Sequence, residues 1–351
     1  MELQELLSNI RPADGAVATQ ARARWDALAK PLGSLGALEE AVVRIAALTG
    51  TLDPKLDRRA LVVYCADNGV VARGVSQCGS EVTAAVAASL AAGESTVCHM
   101  ARTVRCSVQA VDVGIKDFSG CKGVISCRVR NGTGDISCGP AMTRSQCLSA
   151  IRAGAGMAMV QDADILAVGE MGIGNTTTAA ATACVLLGES PARLAGRGAG
   201  LSDAGLARKV DAIERAIACN HPDRNDPIDV LTKVGGLDLA AMCGAYLGAA
   251  LIRTPVLVDG VVSAAAALCA KRLCPAAGDA MLASHVSAEP AGRLLLEALE
   301  LSPLIDAGMR LGEGSGAVAA LPLLDAALAV YRSGHSFEQL GIEAYTPQAA
   351  K

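Results

Sequence analysis

Ala60-Leu-Val-Val-Tyr-Cys-Ala66, followed at once by Asp67-Asn68-Gly69, is the stretch on which the fold turns. An unbroken apolar run closed by an Asp-Asn-Gly turn signal predicts a buried strand that delivers polar groups at its C-terminal end. Three more runs have this form. They are Cys106 to Val113, with Asp112 near its end; Asp164 to Val168, running into Gly169-Glu170; and Thr254 to Val258, running into Asp259-Gly260. Between them lie Ala-rich helical patterns, Glu81 to Met100 and Ala179 to Leu187. In a third, Ser202 to Cys219, Ser202 stands as an N-cap, and Leu206, Val210, Ile213 and Ile217 share one stripe. Strand, loop and helix in alternation predict an α/β fold with a parallel sheet. Ligands of such sheets sit beyond the carboxyl ends of the strands, where Asp67, Asp112, Glu170 and Asp259 would lie.

The chain ends read differently. Leu3, Leu6 and Leu7 mark one helical face, and Trp25, Leu28, Leu35, Leu38 and Val42 mark others, interrupted by a Lys-Pro-Leu-Gly turn at Lys30. Helices return from about Ala288. The two ends are therefore expected to form a smaller helical domain, from residues 1–55 and 288–351, around a large α/β domain at 56–287. Cys121 to Cys147, rich in Gly, Ser, Cys and Arg, is expected to be an irregular excursion. No internal repeat or low-complexity linker is visible.

Hydrophobic residues make up 52% of the 351, yet aromatics only 2%, so small aliphatic side chains must build the core. That suits helices laid closely on a parallel sheet. The net charge of −4 and the lack of a basic cluster argue against a nucleic acid or an anionic membrane as partner. Thirteen scattered cysteines without a Cys-x-x-Cys pair, and only four histidines, leave little from which to build a metal site. An amphipathic, acidic N-terminus unlike a leader, with an odd number of thiols, predicts a cytoplasmic protein. Each apolar stretch is broken before about 18 residues, so none is expected to span a membrane.

Four segments offer chemistry. In Val168-Gly-Glu-Met-Gly-Ile-Gly-Asn-Thr-Thr-Thr178, glycines between a strand and a helix could turn N–H groups toward a phosphate, or simply make a tight turn with a Thr cap. Gly196-Arg-Gly-Ala-Gly-Leu-Ser-Asp leads into a helix whose Lys209 could meet a second anionic group, or be solvated. In Arg310-Leu-Gly-Glu-Gly-Ser-Gly-Ala, glycines beside Glu313 would let a ligand approach a partly desolvated carboxylate, a setting for a general base; the alternative is a helix cap. Asp67 to Ser76 could line a pocket for a flat ligand, or merely connect elements. His285 reads as a packed or capping residue.

In order along the chain, these segments resemble the nicotinate-nucleotide–dimethylbenzimidazole phosphoribosyltransferase family. The resemblance rests on Lys30-Pro-Leu-Gly-Ser-Leu-Gly, Asp67-Asn-Gly-Val, Gly169-Glu-Met-Gly-Ile-Gly-Asn-Thr-Thr, Gly196-Arg-Gly-Ala-Gly-Leu-Ser-Asp, Val258-Asp-Gly, Ser284-His-Val-Ser-Ala-Glu and Leu311-Gly-Glu-Gly-Ser-Gly-Ala. It implies a Rossmann-like sheet, a small helical domain from both chain ends, and a homodimer that uses small-molecule substrates. It also implies transfer of the ribosyl phosphate of nicotinate mononucleotide to an aromatic base, with no metal and no cofactor. By the same resemblance Glu313 and Glu170 are catalytic. Met171, Gly172, Ile173, Gly174, Asn175, Thr176, Lys209, Asp259, Ser287 and Ala288 bind the nucleotide, and Ser76, Ala84 and Leu311 line the base pocket. Three departures stand out: Ala84 where a Gln often follows Val-Thr, Gln77-Cys78-Gly79 in place of an aromatic-Pro pair, and Asn68 where His is usual. They leave the acceptor open between dimethylbenzimidazole, another benzimidazole, a purine and a phenolic. A non-catalytic nucleotide-binding or partner subunit is the alternative, and a dinucleotide oxidoreductase a third.

Overall fold

The computed structural model describes residues 2–346; residues 1 and 347–351, at the tips of the two expected helical ends, lie outside the described residues. The strands are β1 (Arg59–Ala66), β2 (Cys106–Gly114), β3 (Val124–Ser126), β4 (Ile165–Met171), β5 (Val256–Val258) and β6 (Met281–Ala283). The first helices are α1 (Leu3–Asn9), α2 (Gly15–Ala27), α3 (Ala37–Thr49), α4 (Glu81–Ala92) and α5 (Thr96–Thr103). Then follow α6 (Arg144–Met159), α7 (Asn175–Leu187), α8 (Pro191–Leu194), α9 (Asp203–Asn220), α10 (Pro227–Val234) and α11 (Leu237–Leu251). The chain closes with α12 (Val261–Leu273), α13 (Ala291–Leu299), α14 (Ser315–Ser333) and α15 (Phe337–Leu340).

All strand pairs are parallel, in the order β3-β2-β1-β4-β5-β6, so the winding direction reverses between β1 and β4. This is the doubly wound α/β arrangement that the apolar runs predict. The run at Ala60 is uninterrupted because helices cover both of its faces. Ala60, Val62, Tyr64 and Ala66 join a core with α6, α7, α11 and α12. Leu61, Val63 and Cys65 face the opposite layer, built from α3, α4, α5 and α14. Each fully buried Leu or Val contributes about 1.5–3 kcal/mol to folding. Small residues set the layer spacing: a Cβ on Gly244 of α11 would stand 1.9 Å from the Ile151 carbonyl oxygen of α6.

The structure departs from the sequence reading in several places. The Cys121–Cys147 excursion contains the edge strand β3, and β6 was not expected. The helix expected over Glu81–Met100 is two. Gly93 adopts φ +77° and ends α4, and the Ser95 side chain accepts the Cys98 N–H to start α5. Helix α7 starts at Asn175 rather than Ala179, and β4 runs on through Glu170 and Met171. Contrary to the expectation drawn from apolar run lengths, α14 is long and apolar enough by length and composition to cross a membrane. It lies instead on the sheet, where Ala317, Val318, Leu321, Leu324 and Leu328 are buried. The Lys30 turn is a packing device: its ammonium sits 2.6 Å from Glu39, which also accepts the Leu35 N–H, and 5.2 Å from the Trp25 ring centroid.

Candidate active site

The carboxyl ends of β1, β4, β5 and β6 open into a cleft of about 260 Å³ beside the point where the strand order reverses. Loop 75–78, after β1, forms one wall. It is tied to loop 197–201 by the Gln77 amide, which donates to the Ala199 carbonyl at 2.9 Å and also to that of Gly200. The segment from Glu170 to Thr176 forms the floor; Ser287 and Glu289 stand on the far side, with Arg310 to Gly312.

Of the residues singled out from the sequence, ten line this cleft: Ser76, Glu170, Met171, Gly172, Ile173, Gly174, Asn175, Thr176, Ser287 and Leu311. Five do not. Lys209 is wholly buried behind the wall, donating to the Thr176 hydroxyl at 2.8 Å and the Gly196 carbonyl at 3.0 Å. It makes no ion pair among the described residues. Burial lowers its pKa to about 8, with Glu289 opposing. Ala84 packs on the α4–α14 side of the core, and Val82 lines the cleft instead. Ala288 is exposed, its N–H donating to the Met309 carbonyl at 3.0 Å. Asn68 does not line this cleft either: it is buried beneath Gly172 and Gly174.

Asp259 serves the protein. Its carboxylate accepts the N–H groups of Gly314, Gly316 and Ala317 at 3.2, 2.8 and 3.1 Å, capping α14. Of the four carboxylates expected at strand ends, only Glu170 faces the cleft. Asp67 accepts the Thr83 hydroxyl and the Lys116 N–H, and Asp112 accepts two backbone N–H groups and pairs with Arg128.

The fifth is Glu313, one residue beyond the lining Gly312. It has φ +59° between Gly312 at +88° and Gly314 at +83°, three successive left-handed residues. A non-glycine residue held there costs on the order of 1 kcal/mol, a strain the surroundings must impose. The flanking glycines make room for protein, and Gly312 also lines the cleft. A Cβ on Gly312 would meet Glu170 Oε1 at 2.4 Å, and one on Gly314 would meet Leu61 Cδ1 at 2.3 Å. The Glu313 carboxyl lies near Ser95 and the Val97 N–H at the start of α5, and its Oε2 is buried without a hydrogen-bond partner. Burial raises its pKa above the usual carboxylate value, outweighing those two donors.

Glu170 is shifted up to about 8: burial is the main cause, then the charge of Asp238, with the Asn175 amide opposing. That amide donates to Glu170 Oε2. Asp238 itself went unnoticed in the sequence, since a lone acid at the start of an apolar helix is what the helix dipole alone would place there. It is fully buried, and its pKa is raised to about 6 by burial. Among the described residues no group of three His, Cys, Asp or Glu is placed to hold a metal ion.

A doubly wound α/β chain with a carboxylate-floored, glycine-walled cleft at the strand-order reversal belongs to the class of nucleotide-handling α/β proteins. The phosphoribosyltransferase family model matches residues 10–342. The chain is 44% identical over 350 residues, 99% of both chains, to the nicotinate-nucleotide–dimethylbenzimidazole phosphoribosyltransferase of Ruminiclostridium cellulolyticum. It is 44% identical over 345 residues to that of Geobacter metallireducens, covering 97% of this chain and 98% of that one. The crystal structure of the Thermus thermophilus enzyme of that name matches with a TM-score of 0.88 at 41% identity, over 94% of this chain and 99% of that one. The chain belongs to the nicotinate-nucleotide–dimethylbenzimidazole phosphoribosyltransferase family and is a transferase.

The Asp259 cap yields a stability test. Asp259→Ala removes the acceptor of three buried N–H groups and should lower unfolding free energy by about 3 kcal/mol, with Asp259→Asn losing less. Denaturant titration reads both; an unchanged midpoint for the alanine variant would show that the cap contributes nothing.

Proposed function

We propose that this enzyme moves the ribosyl phosphate of nicotinate mononucleotide to 5,6-dimethylbenzimidazole or a related lower-ligand base. The products are the α-ribotide and nicotinate, for cobalamin nucleotide-loop assembly. The relatives' names supply donor and acceptor. The observation that carries the reading here is the meeting, in one cleft, of the 172–176 glycine segment, Glu170, Ser76 and Leu311, with the unpartnered Glu313 carboxyl oxygen one residue away.

In this reading the donor phosphate lies on the glycine segment and the Thr176 wall, with Lys209 behind it, Ser287 opposite and Asp259 acting through the α14 cap. Ala288 supplies backbone beside Ser287. The acceptor base lies against Ser76 and Leu311, and Ala84 influences that pocket only through its helix. The C1′–nitrogen bond of the donor breaks with its electron pair returning to the pyridinium ring, so nicotinate leaves without an acid. An acceptor ring nitrogen bonds to C1′ from the opposite face. Its second ring N–H then loses a proton to Glu313, whose carboxyl turns from α5 toward the acceptor. Glu170, once ionised, balances positive charge on the ribosyl ring. No metal or cofactor enters, because no pyrophosphate leaves. The same reading has a cytoplasmic homodimer without nucleic-acid or membrane partners. It keeps the division at 55/56 and 287/288, supported by the packing of α2 on α3 and of α3 on α14.

The reading is tested by offering pure enzyme nicotinate mononucleotide with dimethylbenzimidazole, other benzimidazoles, purines and phenolics in competition, and following ribotide formation. Gln77 and Cys78 in the cleft lead us to expect a preference other than dimethylbenzimidazole; a clear preference for it removes that expectation. Absence of transfer to any base overturns the enzyme assignment in favour of a nucleotide-binding subunit.

Glu313→Gln should cut kcat by about 10²- to 10⁴-fold, with KM for the nucleotide within a few-fold. Full activity would dismiss Glu313 as the base. Lys209 supplies a pH test. It is charged below about pH 8 and neutral above, so kcat/KM for the nucleotide should fall as pH rises through about 8. Lys209→Met should weaken binding about 10- to 100-fold at neutral pH and flatten that alkaline limb. A limb that survives in the variant belongs to another group.

A further inference from the structure

We propose that Asp238 is a positioning residue for this reaction: a second buried carboxyl that, across the Asn175 amide, sets the orientation and charge of Glu170. The inference rests on the reading of Glu170 given above and deepens it.

Asp238 is the second residue of α11 and has no exposed surface. One carboxyl oxygen accepts the Leu239 N–H at 2.9 Å; the other has no hydrogen-bond partner, and no Lys or Arg pairs with the group among the described residues. A buried acid left in this state costs several kcal/mol relative to an apolar residue. Accepting the Leu239 N–H does not require an acid, since a Ser or Asn oxygen can accept as well. The cost points to function.

Two contacts connect Asp238 to the cleft. The first is Asn175, the first residue of α7, itself buried. Its amide nitrogen carries two hydrogens in fixed directions, so one side chain can serve two acceptors. It donates to Glu170 Oε2, and together with Asn68 it stands close enough to the Asp238 carboxyl to favour the ionised form without a hydrogen bond to it. The second is Gly172. A Cβ there would stand 2.8 Å from the unpartnered Asp238 oxygen, 3.3 Å from the equally unpartnered Asn68 Nδ2 and 2.2 Å from the Ala66 carbonyl oxygen. Asp238 thus lies directly under the backbone of the glycine segment.

The charges that raise Glu170 are acidic, while Arg197 and Arg310 line the same cleft. Asp238 of α11 acts most strongly, followed by Asp259 after β5 and Glu313 before α14; Cys65 of β1 is also within reach, and His285 stands 3.9 Å beyond, beside Asp259. Close acids cannot all ionise at once, so near neutrality Glu170 keeps its proton in the free enzyme. A donor carrying positive charge releases that proton to solvent and leaves Glu170 ionised for the transfer step.

The test is the pH dependence of kcat and kcat/KM for wild type, Asp238→Asn and Asn175→Ala. Removing the charge of Asp238 should move the acidic limb toward lower pH by about half a unit or more, with KM for the base within about twofold. Removing the Asn175 donor should move the limb the other way and lower kcat. A limb that stays fixed, or rises, in Asp238→Asn while activity falls equally at every pH overturns the proposal and leaves Asp238 structural. Infrared titration of the protein without substrate gives a second readout, independent of turnover and of whether Asp238→Asn folds. A carboxylic-acid band that titrates above the usual carboxylate range, vanishes in Glu170→Gln and shifts upward in Asn175→Ala is expected. A band unmoved in Asn175→Ala overturns the coupling even if transfer is active. A wild type that shows the band but no transfer overturns the assigned reaction instead.

Discussion

The carboxylate of Asp259 ties the C-terminal part of the chain to the central sheet. It accepts three backbone N–H groups at the start of α14, so the last long helix is fastened to the carboxyl end of β5. A buried charge at a helix N-terminus is stabilised by the unsatisfied donors there, and it fixes their position in return. Gly169 of β4 completes the clamp, since a Cβ on it would collide with the Glu313 carbonyl carbon and oxygen at 2.6 Å. Two neighbouring parallel strands thereby dictate where the left-handed turn at 312–314 lies. The strain at Glu313 is imposed from both sides, and with it the place from which that carboxyl can act.

The electrostatic character of the cleft follows from the same arrangement. Glu170 faces the cleft with Asp238, Asp259 and Glu313 around it, whereas Lys209 stands behind the glycine wall and makes no ion pair among the described residues. Acids and base are each displaced from their ordinary titration range by burial, in opposite directions. In the proposed reaction one end of the cleft would meet an anion and the other developing positive charge. The proposed donor carries both, a phosphate at one end and a cationic ribosyl–pyridinium junction at the other.

The central sheet was legible because burial on both faces leaves an uninterrupted apolar run, and Ala60–Ala66 is such a run. Strands β3 and β6, three residues each, are too short to leave that signature. The break between α4 and α5 was hidden because Gly93 and Ser95 act through backbone angle and a cap inside an otherwise helical composition. The cleft residues contiguous with β4 were readable because they follow a strand directly. Glu313 stands out by its flanking glycines, which also make room for Glu170 and Leu61. Asp238 left no mark in the sequence, and the buried place of Asn68 could not be read from its turn signal. Their significance is that α11 and the β1 end meet under Gly172, a contact between segments about 170 residues apart in sequence.

The packing of α3 against α14 carries a consequence for how the chain is made. The face of β1 that bears Leu61 and Val63 is covered by helices from both ends of the chain, and α14 leaves the ribosome long after α3. At ordinary elongation rates, on the order of 5–20 residues per second, α2 and α3 wait roughly 10–60 seconds for their partner. During that interval Trp25, Val42 and Ile45 have no finished surface to bury against. Nascent chains should therefore engage chaperones through α2 and α3 and release them only once α14 has been made, an order of events set by topology and not by the strength of any one contact.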